Sequence, residues 1–256
     1  MKTGLINGLS GNALLLFLSQ EKKNRNEGLK LLNIISEEIT TSKDYSFDTG
    51  ITGFGWLVAF LHQEKLIDID SDDILEDFDD QIYKLTLQEL SDQNTNIDIL
   101  LGFIDYHIIR HRNKNFNEQH YRKFIHQECI NLIVEKLSIL IDYYISIKEL
   151  SQVQIENCCD ILLKFSYLSN YINNKIINDQ LPGQLYYFIK HTQINLQPYN
   201  NFKKICQKKL RQACENKNFE IFIVKLNNDL SEIDNSEIEQ TSDIRNTVFK
   251  LTNLIN

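Results

Sequence analysis

Proline and glycine are scarce in this sequence, at 2 and 9 of 256 residues. Tight turns rely on these two residues, so their scarcity disfavours a β-sandwich or any other fold with many short strands. Leucine, isoleucine, lysine, glutamate and asparagine recur instead in long runs with helical spacing. We therefore predict an all-α protein.

Positively charged residues are also fewer than negatively charged ones: the chain has 27 Lys and Arg residues and 35 Asp and Glu residues, which gives a net charge of −8. A surface of this sign repels a phosphate backbone, so we expect no nucleic-acid partner. No apolar run reaches the roughly 20 residues that a membrane span needs. The run ALLLFL near the N-terminus is short and is followed at once by polar residues, which indicates a buried helix rather than a signal peptide.

The cysteines are few for the length of the chain and odd in number, at five. A disulfide framework is typical of short secreted chains, so we expect a reducing, cytoplasmic setting. Cys158 and Cys159 are neighbours that would point in different directions on a helix, and Cys206 and Cys214 would stand about 12 Å apart along a helix axis. Neither pair suits one tetrahedral zinc ion, and we interpret these residues as small buried side chains.

Two segments of the N-terminal half repeat one pattern. GLSGNALLLFLS (8–19) and GITGFGWLVAFL (50–61) each begin with glycine and small residues and continue as a helix that is apolar on almost every side. NIDILLGFIDYHIIRH (96–111) is a weaker third copy, and Gly8, Gly55 and Gly102 follow one another at intervals of 47 residues. A period near 45 residues is typical of stacked helix pairs. We predict a single domain over residues 1–256, with repeats clearest in 1–150 and degenerate in 151–256.

The helices between the copies are amphipathic, so each repeat pairs an inner apolar helix with an outer one. The predicted helices cover 9–20, 27–41, 54–62, 71–85, 96–111, 118–148, 151–173, 184–192, 199–214, 217–230 and 241–254. Ser71 is the predicted N-cap of the fourth helix, whose inner stripe is Ile74, Phe78, Ile82 and Leu85. The segment LPGQLYYF (181–188) is interpreted as a further glycine turn. Glycine at the start of an inner helix allows backbones to approach one another closely.

These glycine-led helices resemble the lanthionine synthetase C-like family, in its bacterial form from gene clusters that make modified peptides. The resemblance rests on GLSGNALLLFL, on FDTGITGFGWLVAFL and most specifically on FGWLVAFLHQEKLIDIDSDDILEDFDDQIY, and it covers about residues 4–110. It implies an α/α toroid of seven inner and seven outer helices. Full enzymes of this family hold one zinc ion through two cysteines and a histidine, and the metal activates a peptide cysteine thiolate that adds to a dehydrated serine or threonine.

The sequence departs from that family in the part that carries the chemistry. The family's zinc ligands lie in a WC.G loop and in an adjacent CHG motif, whereas this chain has one tryptophan, Trp56, and no cysteine next to a histidine. Seven helix pairs at this period also need more than about 300 residues. We therefore predict a shortened, incomplete toroid-like array of helix hairpins, with no catalytic residue carried over and no cofactor.

Histidines offer an alternative metal site. His107 and His111 have the spacing of two ligands on one helix face, and His120 and His126 are near enough in sequence to face back across the hairpin. The glutamate of the metalloprotease pattern is missing, because Ile108 follows His107. Zinc held by His107 and His111 is thus the alternative to a protein without a cofactor.

Basic residues form islands in this acidic chain, for example around RHRNKN and YRKF. Our candidates for binding an acidic peptide or protein partner are Arg110, Arg112, Arg122 and Lys123, with a solvated outer face as the plain alternative. Together with the resemblance, they predict a non-catalytic protein that binds a precursor peptide or a peptide-modifying enzyme in a lanthipeptide-type pathway. Two alternatives stay open: a divergent zinc-dependent thioether cyclase or other thiol-handling enzyme, and a helical-repeat scaffold unrelated to peptide modification.

Overall fold

The computed structural model describes residues 2–19, 21–113, 120–195 and 200–216, and the regular secondary structure within these ranges is helical throughout. The helices are α1 (Leu9–Leu18), α2 (Lys22–Ile39), α3 (Ile51–Gln63), α4 (Ser71–Ile74), α5 (Glu76–Ser91), α6 (Ile97–His111), α7 (His120–Ser146), α8 (Gln152–Leu168), α9 (Lys175–Asn195) and α10 (Asn200–Asn216). The all-α prediction is confirmed. The helices predicted over 217–230 and 241–254 lie outside the described residues.

The predicted fourth helix is in fact two helices, α4 and α5, that meet at Leu75. Leu75 is 2% exposed while Ile74 is 52% exposed, so the predicted inner position of Ile74 is wrong. The N-cap of α4 is Asp70 rather than Ser71, because a carboxylate oxygen of Asp70 accepts the Asp72 amide at 2.8 Å. An ionised cap also interacts favourably with the positive end of a helix dipole.

Several other helix boundaries differ from the prediction, most informatively at α2 and α9. Helix α2 begins at Lys22 instead of residue 27, since the Arg25 amide already bonds the Glu21 carbonyl at 2.9 Å. Long polar side chains such as lysine and arginine lose little rotamer freedom in a helix, so the conformational entropy cost of this extension is small. Helix α9 runs without interruption through Pro182 and Gly183, so the predicted glycine turn in 181–188 is wrong.

The described residues form two compact units, 2–130 and 131–216, and α7 contributes residues to both. In the first unit α1 packs against α2, and α3 packs against α6. Every residue of α3 except His62 is buried, which confirms the apolar inner helix predicted at 54–62. Its Trp56 ring is stacked on Phe60 with the ring centroids 5.2 Å apart. The assignment of residues 1–256 to a single domain stays a prediction.

The glycine-led segments of the first two repeats lie side by side. The Thr3 amide donates to the Thr49 carbonyl at 2.9 Å, and the Leu5 amide donates to the Phe47 carbonyl at 3.0 Å. A Cβ atom on Gly53 would stand 2.5 Å from the Leu5 amide nitrogen and closer still to the Phe47 carbonyl oxygen. The prediction that glycine admits close backbone approach is confirmed at this position.

Helix α3 ends with a lysine in the left-handed conformation. Lys65 has a φ of 55°, and the Leu66 amide donates back to the Leu61 carbonyl at 2.8 Å, which closes a Schellman motif. Replacing Lys65 by glycine is expected to raise the free energy of unfolding by up to about 1 kcal/mol, because relief of the left-handed strain exceeds the entropy that glycine adds to the unfolded chain. Urea denaturation measures this change, and a lower stability of the variant would contradict it.

The second unit contains α8, α9, α10 and the C-terminal part of α7. Ser151 and Gln154 form a reciprocal capping box that starts α8. Helix α8 packs against α9 and α10. Its buried face combines hydrocarbon side chains with two thiols: Ile155, Cys158, Cys159, Leu162 and Phe165. None of the described helices has both the length and the apolar character needed to cross a membrane.

Candidate functional site

A cluster of buried charges lies inside the first unit, and Asp79 of α5 is at its centre. The carboxylate of Asp79 accepts hydrogen bonds from Arg110 Nε at 2.9 Å and from Arg110 Nη2 at 2.6 Å. The Tyr106 hydroxyl donates to the same carboxylate at 2.6 Å. Arg110 also forms an ion pair with Asp72 of α4 at 3.0 Å. Tyr106 and Arg110 lie four residues apart on α6, so one face of that helix supplies both donors.

Helix α7 completes the cluster from a third direction. Arg122 forms an ion pair with Glu76 and a longer contact of 3.5 Å with Asp79. His126 Nε2 lies 3.5 Å from Asp79 Oδ1. Helices α5, α6 and α7 therefore meet at the Asp79 carboxylate, and α4 joins them through the ion pair between Asp72 and Arg110. We call the set Asp72, Glu76, Asp79, Tyr106, Arg110, Arg122 and His126 the Asp79 cluster.

The electrostatics of the Asp79 cluster favour the charged forms of its central pair. Burial alone would raise the pKa of Asp79, but the hydrogen bonds from His126 and Arg110 outweigh burial and hold the pKa well below its ordinary value. Burial alone would lower the pKa of Arg110, but the bonds to Asp79 outweigh it and raise the pKa. Burial, reinforced by the Asp79 charge, raises the pKa of Tyr106, which therefore stays a neutral donor.

A chain of hydrogen bonds links the Asp79 cluster to Thr86, two turns further along α5. His126 Nδ1 lies 2.9 Å from His107 Nδ1, and His107 Nε2 lies 3.0 Å from Thr86 Oγ1. Because the Thr86 hydroxyl donates to the Ile82 carbonyl at 2.8 Å, its oxygen accepts a hydrogen bond from His107 Nε2–H. The unprotonated Nδ1 of a neutral His107 then accepts a hydrogen bond from His126 Nδ1–H. The expectation that His120 and His126 face back across the hairpin holds for His126, whereas the His120 side chain is exposed.

Neutral, buried His107 predicts a loss of stability in mild acid. Burial, together with the charge of His126, holds the pKa of His107 well below its ordinary value. Below pH about 6.5 the unfolded chain binds a proton at this position that the folded protein does not, so the free energy of unfolding falls as the pH falls. Urea denaturation at pH 7.5 and pH 5 measures the decline. We expect a smaller decline for His107→Gln and an unchanged one for His120→Gln, whose side chain is exposed. An equal decline in the wild type and both variants would contradict this role of His107.

The structure separates the four basic residues that the sequence proposed for partner binding. The Arg110 side chain is 2% exposed and its guanidinium is used within the Asp79 cluster, so we leave it out of the proposed binding surface. The Arg122 side chain is 24% exposed and also pairs inside the protein. Arg112 and Lys123 are partly exposed. The partner-binding role of Arg112, Arg122 and Lys123 stays a prediction.

The side chains that could hold zinc do not match the donor set of the family. His107 uses both ring nitrogens for Thr86 and His126, while His111 Nδ1 lies 3.3 Å from the Lys123 carbonyl oxygen. All five cysteines are buried. Zinc takes thiolates, whereas burial raises the pKa of the Cys129 thiol to about 12 and that of Cys214 to about 11. Within the described parts of the chain, no three His, Cys, Asp or Glu side chains lie close enough together to hold a metal ion.

A cleft of about 560 Å³ opens beside the C-terminal end of α3. Its lining combines cationic, acidic, amide and apolar side chains: Arg25, His62, Gln63, Lys65, Ile67, Asp68, Ile69, Asp70 and Asn113. Gln63 is buried and donates through Nε2 to the Ile109 carbonyl at 2.8 Å, while its Oε1 has no hydrogen-bond partner among the described residues. His62 Nδ1 lies 2.7 Å from the Ser71 hydroxyl, a contact that holds the loop after α3.

Sequence reasoning missed this cleft. Its residues come from the first turns of α2, the end of α3, the loop that follows and the loop after α6. No motif spans them, and the left-handed Lys65 is not visible in a hydrophobic pattern. Only the packing of α3 against α6 brings Gln63 and Asn113 to the same opening.

Comparison with known proteins supports the resemblance read from the repeats. The family model described as lanthionine synthetase C-like protein matches residues 1–159. No curated protein and no solved structure shows a significant match. The matched residues include all three glycine-led repeats, the Asp79 cluster and the cleft, and they make up more than half of the chain. The chain therefore belongs to the lanthionine synthetase C-like family.

Proposed function

We propose that this protein is a non-catalytic member of its family that binds a precursor peptide, or an enzyme that matures such a peptide, in a cytoplasmic lanthipeptide-type pathway. Family membership supports a role in peptide modification. The burial of the cysteines and the bonding of His107 support binding without the family's zinc chemistry. The cleft beside α3 carries the proposal, because it is a concave site within the residues that the family model matches.

The cleft suits an extended peptide segment better than a folded protein surface. Its volume lies in the range of sites that enclose small ligands or a few residues of a chain. Ile67 and Ile69 offer an apolar wall, and Ile69 is 39% exposed. Gln63 lines the cleft with its Oε1 unsatisfied among the described residues, and an unsatisfied buried acceptor costs about 1–3 kcal/mol. Arg25 and Lys65 add positive charge to the same lining.

Fluorescence anisotropy with labelled precursor peptides encoded beside the gene tests the proposal. Ile69→Asp is expected to weaken binding at least tenfold, which corresponds to about 1.4 kcal/mol. Ile34→Asp is the matched control, because Ile34 is also exposed, at 46%, but lies on α2 away from the residues that line the cleft. Equal binding by both variants would overturn the assignment of the cleft. Unaltered binding by an Arg112→Glu, Lys123→Glu double variant would remove those two residues from the interface.

Elemental analysis of the purified protein separates binding from catalysis. A divergent zinc-dependent cyclase would carry one zinc ion per chain, and the metal would be lost when His107 or His111 is replaced by alanine. That result, together with thioether formation on a dehydrated precursor, would overturn the non-catalytic proposal. A scaffold unrelated to peptide modification would bind none of the neighbouring precursor peptides or enzymes.

A further inference from the structure

Two thiols face each other between α8 and α10 in the second unit. Cys159 of α8 and Cys206 of α10 are both fully buried, and their side chains share a hydrogen bond. The two helices pack directly against one another. One residue further along α8, Asp160 binds the amine of Lys209 at 2.6 Å, so an ion pair lies beside the thiol pair. This ion pair helps to hold the register in which Cys159 meets Cys206.

The two thiols are chemically unequal. The hydrogen bond from Cys159 lowers the pKa of the Cys206 thiol against the effect of burial, and the charge of Lys209 acts in the same direction. Burial and the same hydrogen bond raise the pKa of Cys159. The nearby charge of Lys209 favours Cys206 as the attacking thiolate of the pair. Cys158 differs from both, since burial alone accounts for the raised pKa of its thiol.

We propose that Cys159 and Cys206 form an oxidation-sensitive site that closes to a disulfide on reaction with hydrogen peroxide. The Cys206 thiolate attacks one peroxide oxygen, the O–O bond breaks, and the departing hydroxide takes up a proton to leave as water. The resulting Cys206 sulfenic acid is attacked by the sulfur of Cys159, which releases its proton. The S–S bond forms as a second water leaves, so that two thiols and one peroxide give one disulfide and two waters.

This site is independent of the proposed peptide binding, because it lies in the second unit and outside the cleft. A disulfide here would link α8 covalently to α10 and restrict the unfolded chain, which stabilises the folded form. Since both sulfurs are buried, peroxide reaches them only when the helices open locally, so the reaction is slower than that of an exposed thiol. In a reducing setting the bond is reversible by thiol exchange.

Mass spectrometry of the full chain tests the site. The reduced, folded protein is treated with hydrogen peroxide and then unfolded in urea, the remaining thiols are alkylated, and the alkyl groups are counted. We expect the five alkyl groups of the untreated chain to fall to three. Digestion should then yield one cross-linked peptide pair that joins Cys159 to Cys206, and dithiothreitol should restore all five groups. The oxidised chain should also have a higher thermal unfolding midpoint than the reduced chain.

Two serine variants sharpen the test. Cys158→Ser leaves the pair intact and is expected to form the same cross-link. Cys159→Ser removes the resolving thiol, so Cys206 should stop at the sulfenic acid, which a dimedone-type reagent traps. Full alkylation of the wild-type chain after peroxide treatment would overturn the proposal. A cross-link that uses Cys158, Cys214 or a second chain would also overturn the proposal. Because both outcomes are measured on the wild-type chain, they stand even if a variant fails to fold.

Discussion

Replacing Arg110 by methionine is expected to lower the free energy of unfolding by about 3–5 kcal/mol. Arg110 forms the bidentate hydrogen bond with Asp79 and the ion pair with Asp72, and its side chain is almost fully buried. Methionine fills much of the same volume but leaves the Asp79 charge without its main partner. Urea or thermal denaturation of the purified variant measures the loss.

Two further variants distinguish loss of charge pairing from loss of packing. Arg122→Ala removes an outer, more exposed member of the same cluster and is expected to cost no more than about 1 kcal/mol. An Asp79→Asn, Arg110→Met double variant removes the stranded charge and should be less destabilised than the sum of the two single variants. Equal losses for Arg110→Met and Arg122→Ala would show that burial does not govern this cluster.

Replacing Gly53 by alanine is the second change with a large expected effect, a loss of about 3 kcal/mol, at the upper end of the range for overpacking. The added Cβ would collide with the backbones of Leu5 and Phe47, neither of which can turn away as a side chain can. Relief requires the two glycine-led segments to separate, which breaks the hydrogen bond between the Leu5 amide and the Phe47 carbonyl. Chemical denaturation of the variant measures this loss.

Gly183 is the matched control, since a Cβ there would meet no described atom within 4 Å. It lies inside α9, where alanine is the better helix former, so Gly183→Ala is expected to raise stability by about 0.5–1 kcal/mol. Opposite signs for the same substitution at the two glycines are the result we expect. A neutral Gly53→Ala variant would contradict the role given to the close contact between the repeats.

Much of the helical architecture of the first unit could be predicted from side-chain spacing. The apolar run around Trp56 predicted a buried inner helix, and every residue of α3 except His62 is buried. Spacing failed at Ile74, because a break after α4 places Leu75 in the core instead. It failed again at Pro182 and Gly183, since α9 tolerates both residues within a continuous helix.

The candidate sites were harder to predict than the helices. Arg110 lies in a basic stretch that indicated a surface patch. It is buried instead, because it is hydrogen-bonded to Asp79, 31 residues earlier in the chain. The approach of His126 to His107 was expected from the hairpin, but their link through Thr86 was not. Gln63 and Ile69 carried no signal for the cleft, because a cavity is a property of packed elements rather than of any one segment.

The order of residues alone determined that this chain is helical and that its first part repeats glycine-led apolar helices. These properties follow from local spacing and composition, which need no knowledge of distant contacts. Tertiary structure alone decided which charges are buried, which thiols meet and where a cleft opens. Each of these depends on helices far apart in the chain, because burial and contacts between those helices together set the pKa of a charged or nucleophilic group.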